Sequence, residues 1–496
     1  MSLLTETLAV RNPEDLVIET PRRKLTAADV VHSTRRLRTF LEGEGISRLA
    51  LLADNSADWI ITDLACQSAG ICLLPLPVFF ADGQLRHSLE SVGVDAILTN
   101  DPQRCLRLLT DAGPETRAIA GSRLTLVRMP VGERKSLPEG TQKITFTSGS
   151  TGSPRGVCLA IAHQLRVAEA LQDVLRLQAP RHLCLLPLST LLENVGGIYL
   201  PLLANGTVIA PPATETGFSG STGLDLSRLI AALERHRPTS IILLPQMLVG
   251  LVSLLEQGWR PPAELSLAAV GGARVDPGLL GRARQLDFPV YEGYGLSEAG
   301  SVCCLNRPGE ENVGSVGRPL GHADISFEDN EIVVSGNTFL GYVDDTSSWG
   351  QPKVKTGDLG RQDDNGYVYV EGRRKNVLIS SFGRNISPEW VESHLLANSS
   401  IAQCVVLGDD RPYCTALIVP ADPRPDSDRI HILIDRINRQ LPDYARIRRW
   451  QCLPAGFGQD VALFTENGKP KRAAIASAFA AIIESLYADV PGANVA

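Results

Sequence analysis

Short apolar segments of strand length alternate with amphipathic segments of helix length in the first half of the chain, and this alternation most constrains the fold. Residues 25–45 are predicted to form a helix that leads into a buried strand at Leu49–Asp54. Parallel strands need long connections, usually helical, so the alternation predicts layered parallel sheets covered by helices. The elements that continue the pattern are helix 58–69, strand 72–76, helix 84–92, strand 96–99, helix 162–176, strand 182–186, helix 192–203, strand 206–210, helix 224–236 and strand 239–244.

The pattern changes in the last third of the chain. Residues 314–370 consist of short β segments punctuated by glycine, and beyond Arg373 the sequence becomes mixed α and β, with a final helix at 471–487. A chain of 496 residues is too long for one hydrophobic core, so two or more domains are expected. We therefore predict an α/β fold with a large N-terminal domain, 1–373, that ends in a β-rich subdomain, and a small α+β C-terminal domain, 374–496.

Composition narrows the functional classes. The hydrophobic content of 44% and the charged content of 21% are typical of a soluble globular protein. A net charge of −7 without a long basic run argues against nucleic-acid binding. The ten cysteines form no C-x-x-C pair, so no zinc or redox motif is indicated, and most lie in apolar runs, as expected of core residues in a reducing compartment.

No targeting or membrane segment is indicated. The N-terminus lacks the basic start and the long apolar stretch of a signal peptide. The most apolar stretches, 71–80 and 183–204, are too short or too interrupted by proline, glycine and polar residues to cross a bilayer. We expect a cytoplasmic protein without a transmembrane segment.

The loop between Ile144 and Val157 combines hydroxyl side chains with glycines. Glycines let the backbone approach a ligand closely, and hydroxyls together with free backbone N–H groups form a site for phosphate oxygens. The apolar runs that bracket the loop disfavour the alternative of a disordered Ser/Gly linker. Neither G-x-x-x-x-G-K-[ST] nor G-x-G-x-x-G fits this loop, so it is not one of the two common nucleotide-binding motifs.

Two further segments combine glycines with polar groups. In Val270–Ala273, adjacent glycines at a strand end allow a flat ligand to lie against the backbone, although a tight turn has the same signature. Val290–Glu298 combines a ring at Tyr294, a hydroxyl at Ser297 and a carboxylate at Glu298 on a loop bent by glycine. A carboxylate beside phosphates is a natural Mg²⁺ ligand, and the alternative is a surface turn.

Three segments nearer the C-terminus place charged residues in turns. Lys355–Leu359 puts Asp358 on a tight turn, where its carboxylate can accept hydrogen bonds from both hydroxyls of a ribose; as a motif, T-G-D is also a common loop. The basic cluster in Glu371–Asn376 lies at the predicted domain boundary, which favours a hinge over a solvated face. A Gly-Lys turn within 465–472 can project a mobile ammonium into a distant site, or serve solubility alone.

Together these blocks resemble the adenylate-forming superfamily, which includes acyl-CoA synthetases, luciferases and the adenylation domains of peptide synthetases. The order and spacing match over nearly the whole chain, and the joint match is specific although several single motifs are weak. Two segments, Leu186–Glu193 and Gly293–Glu298, are most similar to those of fatty acyl-CoA synthetases.

The resemblance implies two half-reactions. A carboxylate attacks the α-phosphate of ATP in the presence of Mg²⁺, giving acyl-AMP and pyrophosphate. A thiol, of CoA or of a phosphopantetheinyl carrier protein, then attacks the acyl-AMP and releases AMP. The resemblance also implies a mobile C-terminal domain that rotates about Lys375, withdraws Lys469 and admits the thiol.

The resemblance assigns roles to individual residues. The phosphates are expected to contact Thr147, Ser148, Gly149, Ser150, Thr151 and Gly152. The adenine is expected to contact Gly271, Gly272, Ala273, Glu292, Gly293, Tyr294 and Gly295. Asp358 and Arg373 are expected to hold the ribose, and Glu298 with Thr151 the Mg²⁺. Lys469 bridges the developing charge on carboxylate and phosphate, and Ser297 and Arg155 complete the catalytic set, which works by positioning and electrostatic stabilisation.

Three positions depart from the family pattern. Arg155 stands where lysine is usual, which keeps the charge but changes its shape and hydrogen bonding. Thr190 stands where fatty acyl-CoA synthetases usually have histidine, so the entrance to the acyl pocket differs. Ser297 replaces a threonine. Because Lys469 is retained, we expect an active enzyme.

The acyl pocket is predicted to be apolar. No residue in the segments expected to line it supplies an obvious cation or acid for a charged substrate, so a fatty acid is favoured. The predicted lining residues are Leu191, Leu192, Ile198, Met247 and Val302. The alternatives are an acyl-AMP ligase that loads a carrier protein, an aryl-acid ligase and, more distantly, a non-catalytic nucleotide-binding module.

Overall fold

Two large sheets form the N-terminal part of the protein, and smaller sheets follow them. The computed structural model of the chain describes residues 3–109, 115–130, 135–147, 154–219, 223–422, 427–453, 456–457, 463–464 and 470–488. None of the helices within these residues has the length and hydropathy needed to cross a bilayer.

Helices and strands alternate along most of the chain. The first elements are α1 (Leu3–Val10), β1 (Leu16–Glu19), β2 (Lys24–Thr26), α2 (Ala27–Gly43), β3 (Arg48–Leu52), α3 (Ala57–Ala69), β4 (Cys72–Pro75), α4 (Asp82–Val92), β5 (Ala96–Thr99), α5 (Pro102–Leu108), β6 (Thr116–Ala118), β7 (Thr125–Arg128) and β8 (Lys143–Thr147). Next come β9 (Arg155–Leu159), α6 (Ile161–Leu175), β10 (Arg181–Leu183), α7 (Leu191–Glu193), a π-helix (Asn194–Tyr199), α8 (Leu200–Leu203), β11 (Thr207–Ile209), α9 (Ala213–Thr216), β12 (Phe218–Ser219), β13 (Gly223–Leu224), α10 (Leu226–His236), β14 (Ser240–Leu243), α11 (Pro245–Glu256), β15 (Leu267–Val270), α12 (Pro277–Gln285), β16 (Val290–Leu296), a 3₁₀ turn (Ser297–Ala299) and β17 (Ser301–Leu305). The last are β18 (Arg318–Pro319), β19 (Ala323–Glu328), β20 (Glu331–Gly336), β21 (Gly341–Tyr342), a 3₁₀ turn (Thr346–Ser348), β22 (Lys353–Gln362), β23 (Val368–Arg373), a 3₁₀ turn (Arg374–Asn376), β24 (Leu378–Ile379), β25 (Asn385–Ile386), α13 (Pro388–Leu396), β26 (Ile401–Leu407), β27 (Cys414–Pro420), α14 (Ser427–Asn438), a 3₁₀ turn (Asp443–Ala445), β28 (Ile447–Cys452), α15 (Arg472–Ala478) and α16 (Ala480–Tyr487).

The first large sheet has eight strands in the order β21-β9-β8-β4-β3-β5-β7-β6. Its central strands β8, β4, β3 and β5 run parallel. The outer strands β7, β6, β9 and β21 are added antiparallel. The predicted parallel layer is therefore confirmed at the centre of this sheet, and the antiparallel edges arise from connections that the strand–helix alternation does not reveal.

The second large sheet has nine strands in the order β18-β17-β16-β15-β14-β10-β11-β1-β2. Six consecutive strands of this sheet, from β1 to β16 in that order, are parallel to their neighbours. Their carboxyl ends therefore lie along one edge, as expected where a parallel α/β sheet presents a ligand site. The helix boundaries follow local signals, as in α3, where the Ser56 side chain accepts a hydrogen bond from Trp59 N and Gly70 ends the helix in the left-handed conformation.

Two smaller sheets follow. The predicted β-rich subdomain is an antiparallel sheet in the order β19-β20-β22-β23. The C-terminal part contains the three-stranded sheet β26-β27-β28, with α13 and α14 packed on one face and α15 and α16 on the other. The expectation that most cysteines belong to the core is confirmed, since every cysteine except Cys452 is buried.

Several local predictions were wrong. The segment Val290–Leu296, expected as a loop, is a strand, because the backbone of β17 lies against it: a Cβ added to Gly295 would sit 1.8 Å from Ser301 O. Asp358, expected on a tight turn, lies within β22, where only Gly357 has a positive φ of 72°. The predicted helix 192–203 is interrupted by a π-helix, and the predicted helix 471–487 is divided at Phe479.

Gly317 lies in the segment that connects β17 to the β-rich subdomain, and its substitution tests this connection. Its φ is +88°, and an added Cβ would lie 1.9 Å from the carbonyl carbon of Leu305. We expect Gly317→Ala to lower stability by roughly 3 kcal/mol, as the sum of left-handed strain and a backbone clash. The measurement is the thermal unfolding midpoint.

Gly309→Ala is the matched control. Gly309 has a similar φ of +76° but nothing within 4 Å of an added Cβ, so this variant should lose only about 1 kcal/mol. Equal losses for the two variants would show that the close approach at Gly317 is unimportant.

Candidate active site

The first of the two glycines after β15 lies close against the neighbouring strand. A Cβ on Gly271 would come within 3.2 Å of Gly293 O, and Gly272 has a φ of +80° that favours glycine. Gly293 itself belongs to β16, which runs parallel to β15 and pairs with it up to Val270↔Glu292. The predicted adenine-binding residues Gly271, Gly272 and Ala273 are therefore brought beside Gly293, Tyr294 and Gly295.

Asp358 links β16 to the β-rich subdomain. Tyr294 Oη donates to Asp358 Oδ2 at 2.7 Å, and Arg373 Nε lies 2.8 Å from Asp358 Oδ1. The strands β22 and β23 make this possible, because their register places Asp358 opposite Arg373. Burial, with the Asp358 charge beside it, raises the pKa of Tyr294 well above its usual value, so the phenol remains a donor. Two predicted ribose ligands and one predicted adenine ligand thus form one cluster.

Glu298 lies in the 3₁₀ turn that follows β16, with its side chain partly exposed. Tyr342 Oη donates to Glu298 Oε1 at 2.8 Å, and Phe339 N donates to Glu298 O at 2.7 Å. The same segment reaches the eight-stranded sheet, since Leu340 N donates to Cys158 O of β9. Ser297 precedes Glu298 in the turn. Because the segment that contacts Glu298 also pairs with β9, the proposed metal ligand lies where the two large sheets meet.

Arg155 stacks on the same tyrosine. Its guanidinium carbon lies 3.6 Å from the centre of the Tyr342 ring, and its Nη2 lies 3.0 Å from Asp345 Oδ2. Arg155 is paired in register with Thr147, so these two residues flank the predicted phosphate loop. Burial and the charge of Glu298 raise the pKa of Tyr342 above its usual value. Tyr342 thus joins Arg155 to Glu298.

Sequence reasoning missed Tyr342. It lies 44 residues from Glu298 in the chain, and a single tyrosine after a glycine carries no local sign of such a contact. Arg274 was missed as well; it donates to the carbonyls of Val370 and Glu371 and thereby ties β15 to β23. Only strand pairing over long sequence distances brings these residues to the site.

Glu292 is buried within β16, below the predicted adenine surface. Burial raises the pKa of Glu292 to about 8, although nearby Arg274 acts in the opposite direction. We therefore expect this side chain to hold a proton at neutral pH.

Several predicted residues lie outside the described part of the chain. These are Ser148, Gly149, Ser150, Thr151, Gly152 and Lys469. Lys375, the predicted hinge residue, lies in the 3₁₀ turn that follows β23 and is exposed.

The predicted acyl-pocket residues lie where two core clusters meet. Leu191, Ile198 and Val302 belong to one cluster and Met247 to the other, while Leu192 packs against both. All but Leu192 are buried. Their assignment to a pocket remains a prediction.

A histidine, a cysteine and a glutamate that lie close to one another in the sequence come together beside the π-helix. The ligand-type atoms of His182, Cys184 and Glu193 lie within 4.8 Å of one another. His182 Nε2 lies 2.9 Å from Glu193 Oε1, His182 Nδ1 lies 3.0 Å from Ser240 Oγ, and Glu193 Oε2 accepts from Leu186 N at 3.1 Å. Because these atoms are already bonded to protein groups, the cluster braces the segment Leu186–Glu193.

The N- and C-terminal parts touch through α12 and α13. His394 Nδ1 lies 2.7 Å from Asp276 Oδ2, and Arg282 donates to Ala397 O at 2.9 Å. The other oxygen of Asp276 caps α12 by accepting from Leu279 N.

Comparison with known proteins identifies the family. The family model described as AMP-binding enzyme matches residues 5–342, and the model described as AMP-binding enzyme C-terminal domain matches residues 375–491. The long-chain-fatty-acid–CoA ligase FadD15 of Mycobacterium bovis is 24% identical, over 93% of this chain and 92% of its own. The feruloyl-CoA synthase of an Amycolatopsis species is 29% identical, over 82% of this chain and 86% of its own.

A solved structure shares the whole fold. The anthranilate CoA ligase AuaEII in complex with anthranoyl-AMP has a TM-score of 0.81 and 19% sequence identity, and the alignment covers 97% of this chain and 98% of that one. Fold and matches together place the protein in the adenylate-forming superfamily, as its sequence indicated. Within it, the chain belongs to the AMP-binding enzyme family, and its relatives are AMP-forming CoA ligases. The prediction of a ligase of the acyl-CoA synthetase type is thereby confirmed.

The raised pKa of Glu292 makes stability depend on pH. The folded state keeps its proton up to about pH 8, whereas an exposed glutamate loses it near the ordinary value of 4.5. The folded state therefore binds more protons between these pH values, and stability falls as pH rises through this window. Glu292→Gln stays neutral at every pH, so we expect its thermal midpoint to match that of the wild type at pH 4.5 and to be higher at pH 8. The corresponding gain in the free energy of unfolding at pH 8 is on the order of a few kcal/mol.

Glu139→Gln, at an exposed position, is the control and should leave the pH dependence unchanged. Parallel midpoint–pH curves for wild type and Glu292→Gln would contradict a protonated Glu292.

Proposed function

We propose that this enzyme activates an apolar carboxylic acid, in the first instance a fatty acid, with ATP and Mg²⁺ to acyl-AMP, and then transfers the acyl group to the thiol of CoA. One observation carries the proposal: Tyr294 of β16 holds Asp358 of the β-rich subdomain, and the turn that directly follows β16 carries Glu298. These groups have the chemistry for ribose and for a phosphate-bound cation.

Asp358 is suited to hold the ribose. Tyr294 and Arg373 contact opposite oxygens of its carboxylate and hold it in one orientation. A carboxylate oxygen accepts more than one hydrogen bond, so the two ribose hydroxyls can donate to Asp358 as well. Arg373 keeps 45% of its side chain exposed and can reach the same ribose. The glycine surface of Gly271 and Gly272 then receives the adenine.

The carboxylate of Glu298 is suited to coordinate Mg²⁺. Its carboxylate is partly exposed and is oriented by Tyr342 Oη, on the side of the site that Arg155 and Thr147 approach. When bound, Mg²⁺ would be held by Glu298 and Thr151 and would neutralise phosphate charge.

Arginine in place of the usual lysine at position 155 is accounted for by stacking. A planar guanidinium lies on an aromatic face and still directs N–H groups sideways, which an ammonium cannot do in the same way. Held on Tyr342, Arg155 can offer two parallel hydrogen bonds to phosphate oxygens. The departure from the family pattern is therefore compatible with phosphate binding.

The acid is proposed from the apolar character of the predicted pocket and from the relative named for long-chain fatty acids. An aryl acid is the second candidate, favoured by the relatives named feruloyl-CoA synthase and anthranilate CoA ligase. CoA is proposed as the acceptor because all three relatives are named for it, and a carrier protein is the alternative.

We propose that residues 374–496 form the mobile domain and turn about Lys375 between the half-reactions. The contact of His394 with Asp276 and that of Arg282 with Ala397 would both break in such a rotation. Lys469, carried by this domain, acts in the first half-reaction, where it balances the charge that develops between carboxylate and α-phosphate.

Pyrophosphate release with Mg²⁺ and ATP, measured over a panel of fatty acids and aryl acids with and without CoA, tests the proposal. Turnover that depends on CoA and is highest with fatty acids is expected. Turnover confined to aryl acids would replace the substrate assignment. Acyl-AMP that accumulates without use of CoA would indicate a carrier protein, and bound ATP without turnover would indicate a non-catalytic module.

Lys469→Ala separates the two half-reactions. We expect it to lower acyl-AMP formation by about a thousandfold, as for the loss of one transition-state electrostatic contact, and to leave thiolysis of supplied acyl-AMP within about twofold. Lys471→Ala, two residues away, is the matched control and should retain both. Equal loss of the two half-reactions in Lys469→Ala would contradict its assignment.

A further inference from the structure

A fully buried lysine lies in the core between the two large sheets, and the proposed reaction does not use it. Lys143, the first residue of β8, has no exposed surface. Its Nζ lies 2.8 Å from Asp63 Oδ1 of α3 and donates to Asn194 Oδ1 at 2.6 Å and to Tyr199 Oη at 2.5 Å. Asn194 and Tyr199 accept hydrogen bonds from the ammonium, and Asp63 supplies the opposite charge that a buried cation requires.

The acceptors are bonded to one another as well. Tyr199 Oη donates to Asp63 Oδ2 at 2.7 Å, and Asn194 Nδ2 donates to the same oxygen at 3.1 Å. Gln67 Nε2, one turn along α3, donates to Tyr199 Oη at 2.9 Å. We call Lys143, Asp63, Asn194 and Tyr199 the lysine cluster.

The lysine cluster depends on the π-helix. Asn194 and Tyr199 are its first and last residues. At 3.6 residues per turn, side chains five positions apart would point about 140° away from each other. The wider π turn, with bonds between positions i and i+5, brings them onto one face, where both reach Lys143. A return to α-helical geometry would separate them.

The opposite side of the π-helix is held by the nine-stranded sheet. A Cβ on Gly196 would lie 2.9 Å from Ile242 Cδ1 of β14, and one on Gly197 would lie 2.3 Å from Glu193 Oε1 and 2.9 Å from His182 Nε2. The π-helix is therefore clamped between the two sheets, with charge on one side and close glycine packing on the other.

This clamp links two functional segments. The π-helix directly follows Leu191 and Leu192 and contains Ile198, three of the predicted acyl-pocket residues. Lys143 begins the five-residue strand β8, and Thr147 at its other end leads into the predicted phosphate loop. The lysine cluster thus fixes the acyl segment relative to the strand that carries the phosphate loop.

We propose that Lys143 and Tyr199 are positioning residues for the acid: through the π turn, the lysine cluster sets where the acyl pocket lies relative to the phosphate loop and so determines which acids are accepted. The assignment rests on the proposed function, because it concerns the acid site of that reaction. Neither residue touches the reacting atoms in this arrangement.

Two variants loosen the cluster without leaving a buried charge unpaired. Tyr199→Phe removes one hydroxyl and keeps the ring. Lys143→Met with Asp63→Leu replaces the ion pair by apolar side chains, a change that buried pairs often tolerate. Removing Lys143 alone would strand the Asp63 carboxylate and unfold the protein. Tyr413→Phe, whose hydroxyl donates to Leu486 O in the C-terminal part, is the matched control.

The kinetic test compares KM for the acid with KM for ATP in each variant. We expect KM for the acid to rise about fivefold to tenfold in both variants, KM for ATP to stay within about twofold, and the ratio of kcat/KM between long and short acids to change. A structural role alone would lower the amount of active enzyme and the thermal midpoint without moving KM or that ratio. Such a result would overturn the proposal.

Amide hydrogen exchange provides a second test that needs no activity. Residues 191–203 should exchange faster in both variants than in the wild type, whereas residues 240–255, which span β14 and most of α11, should not. A wild type that is silent with every acid would refute the proposed function, yet faster exchange limited to 191–203 would still support the positioning role. Unchanged exchange there would overturn it.

Discussion

The structure depends on how its two large sheets are held against each other. The predicted phosphate loop follows a strand of the eight-stranded sheet, whereas the residues predicted to bind adenine and ribose belong to the nine-stranded sheet and the sheet after it. Neither sheet carries a complete site. A buried ion pair, Lys143–Asp63, lies between them and is joined to a π-helix that packs on the nine-stranded sheet through glycine. An ion pair of this kind adds little net stability but tolerates few alternative arrangements, because every polar partner must be satisfied at once.

Within the nine-stranded sheet, several of the predicted site residues lie in β16 or in the turn after it. The glycines of β16 allow β17 to approach closely, and the turn that follows it carries the carboxylate of Glu298. Asp358 then ties this strand to the β-rich subdomain, and Tyr342 ties the turn to the eight-stranded sheet. Tyr294 and Asp358 of the candidate site therefore lie on regular strands, which hold side chains more firmly than loops do.

What the sequence could predict follows from the range of each interaction. Alternation of strands and helices is local, so the parallel sheets and most helix positions were predicted correctly. The glycine-rich segment 290–296 was misjudged as a loop, because only pairing with β17 shows that its glycines serve close packing. The π-helix escaped prediction since it arises from contacts of Asn194 and Tyr199 with residues more than fifty positions away. Motif residues such as Asp358, Arg373 and Glu298 were recognisable by family resemblance, whereas Tyr342 carried no motif.

In the contact between the N- and C-terminal parts, the two carboxylate oxygens of Asp276 have different roles. Asp276 uses one oxygen to cap α12 and the other to hold His394 across the boundary. In the proposed rotation, loss of the His394 contact would leave the cap in place, so α12 would keep its N-terminal end. The proposed rotation would then expose an ordered surface, and its cost would fall on a few polar contacts and not on unfolding of α12.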